Sequence, residues 1–501
     1  MKNASFLIPF LRTFLLGLLG AWMTLPRVHA ESVPEPENMK SRLRAFFAAA
    51  RNGETPLLQS FMKTSEYLDD TLHDITVLMK TDRGYLSKQS FTYDMAIATI
   101  VYILIGEYRE AVRVLDDFQD NFWVQKNGIF GLYNSYRTDL YDYFYQTPSG
   151  RRNLLVIGID GSRMHTGPAL WVGIACQHFY METGSKRYIK FMLDIFRWCR
   201  NMAHYRMEDG SRGGVAMGYG WGPPWQEIFC TEHNVDYYAF CRNIQKIAAM
   251  DDPEIRLIFK KLGVDEKAVE EEIQGTLRWL KRVYRPMGIF LRGINDLGED
   301  KVKALDTVSW GIAALKPSTM RDIGVDPDKM IRVAEDLFGV EVRVEGQRFS
   351  GFDFTDYEGF KRNRRTACIW FEGTAQMIIA YHVMADDYGE IGDGEREKHY
   401  RDRALFYTEE IRRFAETFDL DHGALPYTSM NLKSSEVAYT FSDWWPIARG
   451  KEGEWVPSVV ATCWRYFAET RFNPLDLFTR RKEPRYLDLT FEAPIPEPDP
   501  F

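Results

Sequence analysis

The sequence predicts an all-α protein folded as an (α/α)6 toroid, six inner helices covered by about six outer ones, with short decorating strands and long aromatic loops. Three observations carry this prediction. One apolar helix pattern that opens at a polar or acidic cap recurs six times, with starts near Thr92, Thr166, Thr231, Asp306, Glu372 and Pro457, at intervals of roughly 65 to 85 residues. Helical stretches with a single apolar stripe lie between these starts. No flexible linker interrupts the chain between residues 39 and 480, so the repeats build one body.

Before the first repeat, residues 1–30 read as an export signal. Lys2 and Arg12 precede an apolar run from Phe14 to Leu25, and Val28-His29-Ala30 offers a small-residue cleavage site. The run is shorter than the roughly 20 residues a membrane helix needs, so a periplasmic or secreted protein without a stable membrane anchor is expected. A Pro- and Glu-rich linker is expected over 31–38.

The first inner helix runs from Thr92-Tyr93-Asp94 to Ile105 and stops at Gly106; being apolar nearly all round, it must be buried. The second opens Thr166-Gly167-Pro168, with proline suited to a first turn, and stops at Gly184. The third starts at Thr231, read as its cap; the fourth begins Asp306-Thr307-Val308-Ser309-Trp310, the fifth at Glu372, and the sixth after Pro457-Ser458. Outer helices are read from Tyr108, Ala111, Val112, Leu115, Phe118 and Phe122, and from Ala404, Tyr407, Ile411, Phe414 and Phe418. Val340 to Val344 alternates apolar and charged residues as a strand does. From 481 to 501 the chain reads as an extended tail rich in proline.

Charge and cysteine narrow the function. There are 63 Lys and Arg against 71 Asp and Glu, a net charge of −8, which disfavours nucleic acid and makes a neutral glycan a better partner than a polyanionic one. The six cysteines include no CxxC pair and read mostly as buried thiols. With no HExxH spacing among the histidines, no metal and no cofactor is expected.

Inner helices of such a toroid start at one mouth, so their first-turn acids converge: Asp94, Asp160 just before the second helix, Glu232, Asp306 and Glu372 are the candidate catalytic carboxyls. Two convergent carboxyls suffice for glycoside hydrolysis, one protonated and one ionised. Glu232 is the expected proton donor and Asp94, Asp160 or Asp306 its partner. Asp236 shares a helix face with Glu232 and joins the expected substrate-binding set with His233, Asn234, Arg163, Tyr93, Tyr219, Trp221, Trp225, Trp310 and Trp444. These polar groups and rings suit a sugar.

On the six-fold pattern, Thr92-Tyr93-Asp94-Met95-Ala96 and Thr231-Glu232-His233-Asn234, nearly the whole chain resembles the six-hairpin glycosidase superfamily. That resemblance implies an exported glycoside hydrolase acting on a poly- or oligosaccharide. Two other classes fit parts of the pattern: a polysaccharide lyase using His233, Asn234, Tyr237 and Arg242, and a non-catalytic glycan-binding or assembly protein of the same fold.

Overall fold

The protein is described from a computed structural model over residues 36–51, 57–61, 89–126, 129–137, 145–146, 152–153, 163–219, 227–362, 365–430, 447–449, 453–487 and 489. The expected export signal, Asp160, Trp221, Trp225 and Trp444 lie outside these residues. The chain divides into two units, Met1–Ser41 and Arg42–Phe501. Of the first, only residues 36–41 are described, and they are helical. Residues 36–38, expected as linker, thus open helix α1 (Pro36–Ala50), because proline suits a first helical turn, where its missing N–H costs nothing.

The second unit alternates outer and inner helices. After α1 come α2 (Thr92–Ile105), α3 (Tyr108–Asp116), α4 (Thr166–Thr183), α5 (Ile189–Arg200), α6 (Thr231–Ala248), α7 (Pro253–Leu262), α8 (Glu266–Val283), α9 (Asp306–Asp322), α10 (Pro327–Phe338), α11 (Phe371–Glu390), α12 (Gly394–Thr417) and α13 (Val459–Glu469). Helices α2, α4, α6, α9, α11 and α13 are the inner set. Each packs on the next, and α13 returns to α2, closing the ring. Outer helices α3, α5, α8, α10 and α12 pack on α2, α4, α6, α9 and α11 respectively. The part of α1 within this unit stacks Phe47 on Tyr102 of α2, ring centroids 4.6 Å apart. Helix α7 is an addition beside α5 and α6 that the sequence pattern did not single out.

Burial explains which helix goes where. Every residue of α2 but Tyr93 is buried, and α4 is nearly as enclosed, so neither has a face for water. Helix α3 buries only Ala111, Val112, Val114 and Leu115, one stripe. It gives way at Asp117 to a π-helical turn that ends at Phe122. Gly106 and Gly184 end α2 and α4 in the left-handed conformation at φ 85° and 74°, where a side chain would be strained.

A cycle of main-chain hydrogen bonds holds the mouth. The N–H at each inner-helix start donates to a carbonyl in the segment leading to the next inner helix. Thr92 donates to Asn134 (2.9 Å), Thr166 to Met217 (2.8 Å), Thr231 to Arg292 (2.8 Å), Leu305 to Phe354 (2.9 Å), Phe371 to Tyr427 (3.1 Å), and Val459 to Ser60 (3.0 Å), which returns to α2. The threonines reinforce it. Thr92, Thr166 and Thr231 were expected as caps, but their hydroxyls donate to Tyr133, Met217 and Leu291 carbonyls at 2.5, 3.0 and 2.5 Å and cap nothing. The residue before each of these helices, Phe91, His165 or Cys230, is extended in a strand paired to its neighbour, so the threonine hydroxyl meets a carbonyl first.

At the opposite end, residues 473–479 cross the helix C-termini. Asn473 Nδ2 donates to Ala313 O at 2.7 Å, His178 Nε2 meets Pro474 O at 2.7 Å, and the Leu477 N–H donates to Asn243 Oδ1 at 3.1 Å. Asp476 is held by Lys246 and Lys316 at 2.5 and 2.7 Å. This segment therefore ties α4, α6 and α9 together below the core. The strand expected around Val340–Val344 forms one arm of the hairpin Gly339–Val344/Gln347–Phe352.

Candidate active site

A cavity of about 620 Å³ opens at the mouth, and every inner helix or the residue just before it contributes to its wall. Tyr93 and Asp94 come from α2, Trp171 from α4, Glu232, His233 and Asp236 from α6, Asp306 and Trp310 from α9, Glu372 from α11, and Val460 from α13. Four of the five predicted catalytic carboxyls thus meet in one cavity. The fifth, Asp160, is outside the described residues.

Below the acids the axis is filled by rings. Tyr93, Trp171, Trp310 and Trp464 pack with centroids 5.5 to 6.2 Å apart, and the indoles are at most 3% exposed. Trp171, Trp310 and Trp464 all sit in the second turn of an inner helix. One rung of the toroid is therefore an aromatic floor, with the first-turn acids standing above it. A hydrogen-bond chain fixes one of these acids. Trp464 Nε1 donates to the Tyr93 hydroxyl (2.8 Å), which donates to Glu372 Oε1 (2.7 Å). Gln376 Nε2 donates to the same oxygen at 3.1 Å, and Ser309 Oγ donates to Gln376 Oε1 at 3.2 Å. An indole can only donate, so the direction of the chain is set and Oε1 is an acceptor.

Crowding five carboxyls away from water favours their neutral forms. Burial pushes Glu232 well above the usual carboxyl range, and the charges of Asp306 and Glu372 push it further, against the opposing Arg292 guanidinium. Asp306 is raised by burial only to about 6, because Arg292 and the Thr307 N–H favour its ionised form. Glu372 rises to about 8 and Asp94 to about 7, burial again leading. Asp236, fully buried, is raised well above its ordinary value by burial and then by Glu232. Neither of its oxygens has a donor in hydrogen-bonding geometry among the described residues, although the Trp171 indole beside it favours its charge.

Helix dipoles do not undo this. An N-terminus favours an ionised carboxyl by about 0.3–1 kcal/mol, and up to about 2 when partly buried; desolvation of a fully enclosed acid is larger.

The other expected contacts divide. His233 lines the cavity, its ring against Gly167, where a methyl group would lie 2.4 Å from Cδ2. Burial lowers His233 to about 4 and His165, also in the wall, to about 3, so both are neutral at physiological pH. Asn234 is not in the wall: Oδ1 accepts from the Val215 N–H at 2.7 Å, and Nδ2 donates to Val215 O and Cys230 O. Its amide is saturated by a strand and the helix entry. Arg163 and Tyr219 also stand outside the wall. For the lyase constellation, Tyr237 is fully buried and Arg242 is exposed, bonded to Gln245. Arg242 lies about 12 Å along the helix from Asn234, so His233, Asn234, Tyr237 and Arg242 do not converge.

Several wall residues carried no usable sequence signal. Arg292, Asn295 and Asp300 come from a connection between α8 and α9, Tyr427 from one between α12 and α13, and Trp370 from just before α11. Arg292 is ion-paired to Asp300 at 2.7 Å. Trp171 was discoverable, since it falls at the helix position matched by Trp310 and Trp464.

For metal binding, one group among the described residues stands out. Cys230, Glu232 and His233 each offer a ligand atom, all within 4.8 Å of one another. The six cysteines are free thiols, five of them buried and Cys230 only partly so. Cys368 lies before α11, in a segment without regular structure.

Together the ring of helices and the acid-lined cavity at its mouth define the fold as an (α/α)6 toroid. Among solved structures, a sugar epimerase from a ruminal bacterium matches 87% of this chain and 97% of its own, at 10% identity and a TM-score of 0.50. A family 76 glycoside hydrolase, a mannosidase from Bacteroides thetaiotaomicron, matches 88% and 98% at 8% identity and a TM-score of 0.49. A family 76 enzyme from a bovine strain of that species matches 87% and 77% at 9% identity and a TM-score of 0.49. At these identities the likeness is one of fold. No protein-family model matches the sequence, and no curated protein does.

Proposed function

We propose that this chain is an exported glycoside hydrolase in which Glu232 donates a proton to the leaving glycosidic oxygen and Asp306 is its ionised partner. The observation that carries the reading is the different surroundings of two carboxyls in one cavity: burial and the charges of Asp306 and Glu372 favour the protonated form of Glu232, while Arg292 and the Thr307 N–H keep Asp306 down at about 6. Two acids whose surroundings push their titrations apart have the complementary states that the reaction needs. Glu232 gives its proton to the departing oxygen as the bond to the anomeric carbon breaks. Asp306 takes a proton from the attacking water or itself attacks that carbon. The aromatic wall supplies faces for sugar rings. The net negative charge of the sequence disfavours a uronate or sulfated chain, so a neutral poly- or oligosaccharide is the preferred substrate. The leader-like pattern of residues 1–30 supports export, and mass spectrometry of the mature N-terminus tests that part.

The decisive comparison is Glu232→Gln on a panel of neutral and acidic glycans. Release of reducing ends by the wild type should fall roughly 10² to 10⁴-fold in the variant, with glycan binding retained. Turnover within a few-fold of wild type would reduce Glu232 to a helix-start residue.

His165 and His233 favour a second reading. They are neutral, in the same wall, with ring centroids 6.0 Å apart, and a neutral imidazole can take a proton from a sugar carbon and return it as the imidazolium. A sugar epimerase is among the fold neighbours. Deuterium entering a free sugar from heavy water, without new reducing ends, would select this reading over hydrolysis.

A further inference from the structure

We propose that Cys230, Glu232 and His233 form a binding site for a single zinc-type divalent cation in the cavity wall, and that the bound ion withdraws Glu232 from proton donation. The second half rests on the hydrolase reading above; the first does not. Three features of the geometry lead to it.

The ligand atoms are already gathered. A thiol, a carboxylate and an imidazole lie within 4.8 Å of one another, and all three residues line the cavity. Three protein ligands with a fourth position open to a cavity is the arrangement of catalytic and exchangeable zinc sites. The mixture of sulfur, nitrogen and oxygen excludes calcium and magnesium, which take oxygen alone.

The imidazole is also held as a ligand would be. The Thr166 hydroxyl has one proton and lies 3.0 Å from Met217 O and 3.1 Å from Ala216 O. With that proton on a carbonyl, the hydroxyl oxygen, 3.1 Å from His233 Nδ1, accepts the Nδ1 proton, which is the tautomer we assign. The lone pair is left on Nε2. A hydrogen bond at one ring nitrogen that orients the other is the usual support of a metal-bound histidine. Gly167 makes room for the ring, since any side chain there would collide with it.

The carboxylate, finally, is unoccupied by protein donors. No hydrogen bond to Glu232 comes from the described residues, although its neighbours Asn234 and Glu372 are each held by more than one. The start of α6 opposes a cation with about half a charge. Asp306, facing the same cavity, offsets it, Arg292 being paired to Asp300. Binding replaces the Cys230 S–H and Glu232 O–H bonds by sulfur–metal and oxygen–metal bonds and releases both protons to solvent; nothing is oxidised or reduced.

The test uses the full chain stripped with a chelator and titrated with Zn²⁺, then with Cd²⁺ as an optical probe. One equivalent should remain bound through gel filtration, and Cd²⁺ should produce the ultraviolet charge-transfer band of a thiolate ligand. Zn²⁺ should also protect Cys230 from alkylation, read by mass spectrometry of the cysteine peptides. Cys230→Ser should abolish the band, and Cys230→Ser and His233→Gln should each weaken zinc binding roughly 10- to 100-fold or more. If either variant misfolds, the wild-type band and the protection pattern decide alone. Absence of a thiolate band at saturating Cd²⁺, or alkylation of Cys230 at the same rate with and without Zn²⁺, overturns the site. Hydrolysis by the wild type should fall as the site fills and recover with chelator. A filled site with undiminished turnover refutes the inhibitory half. Loss of turnover in Glu232→Gln without any zinc binding would leave the hydrolase reading standing and this inference refuted.

Discussion

Among single residues, the acids at the mouth have an effect beyond chemistry. Asp94 and Glu372 titrate in the folded protein near 7 and 8, well above unfolded carboxyls near 4. The folded state thus holds protons that the unfolded state has lost, and stability falls as pH rises through these values, each group contributing at most about 1.4 kcal/mol per pH unit. The lowered histidines His165, His178, His233 and His382 act in the opposite sense only below their unfolded value near 6.5. Denaturant midpoints should therefore decline between about pH 6.5 and pH 8, and Glu372→Gln should flatten the decline. A midpoint that rises over that window would contradict the protonated reading of these acids. The acids themselves were legible in the sequence because a first-turn position is a local property. Arg292, which sets Asp306 apart from Glu232, was not. It sits on a connection where no periodicity says which way a side chain turns, and its importance exists only through contact with distant residues.

Helix starts show a similar division between what is local and what is not. Apolar periodicity located α2, α4, α6 and α9 at their first residues and α11 and α13 within two, since an all-apolar helix can only be internal. The role of the threonines was misjudged, because capping is the local preference and the competing carbonyl belongs to a segment some forty to sixty residues away. Asn234 likewise read as a substrate contact and serves instead to join α6 to the strand ending at Val215. At the start of α11, close packing takes the place of capping: a methyl group on Gly373 would lie 2.1 Å from the Trp370 ring. Gly373→Ala should displace Trp370 from the cavity wall at a cost of roughly 1–3 kcal/mol. The measurement is a thermal or denaturant midpoint together with tryptophan fluorescence. An unchanged spectrum and midpoint would mean that the ring is not wedged there.

At the level of the whole molecule, the toroid has two ends with different tasks. Six main-chain hydrogen bonds in a cycle fix the mouth without using side chains, which leaves the first-turn side chains free to line a cavity. The far end is secured by residues 473–479, a stretch with no regular structure and hence no signature in the sequence beyond its position after the last helix. Its anchor is Asp476, held between Lys246 of α6 and Lys316 of α9 at 2.5 and 2.7 Å. These lysines depress the Asp476 carboxyl well below the usual range despite its burial. A depressed folded value contributes stability above the unfolded value, near 4, that disappears as pH falls through the folded one. Asp476→Asn should therefore cost roughly 1–3 kcal/mol near pH 7, less than a fully buried pair because Lys316 is half exposed. The difference from wild type should shrink below about pH 4. Since Asp476 lies at the end of the helices opposite the acids, glycan binding at the mouth should survive the substitution while the fold persists. A pH-independent loss of stability would assign the effect to packing of the strap and not to its charge. Loss of glycan binding by the folded variant would mean that the two ends are coupled through the aromatic floor.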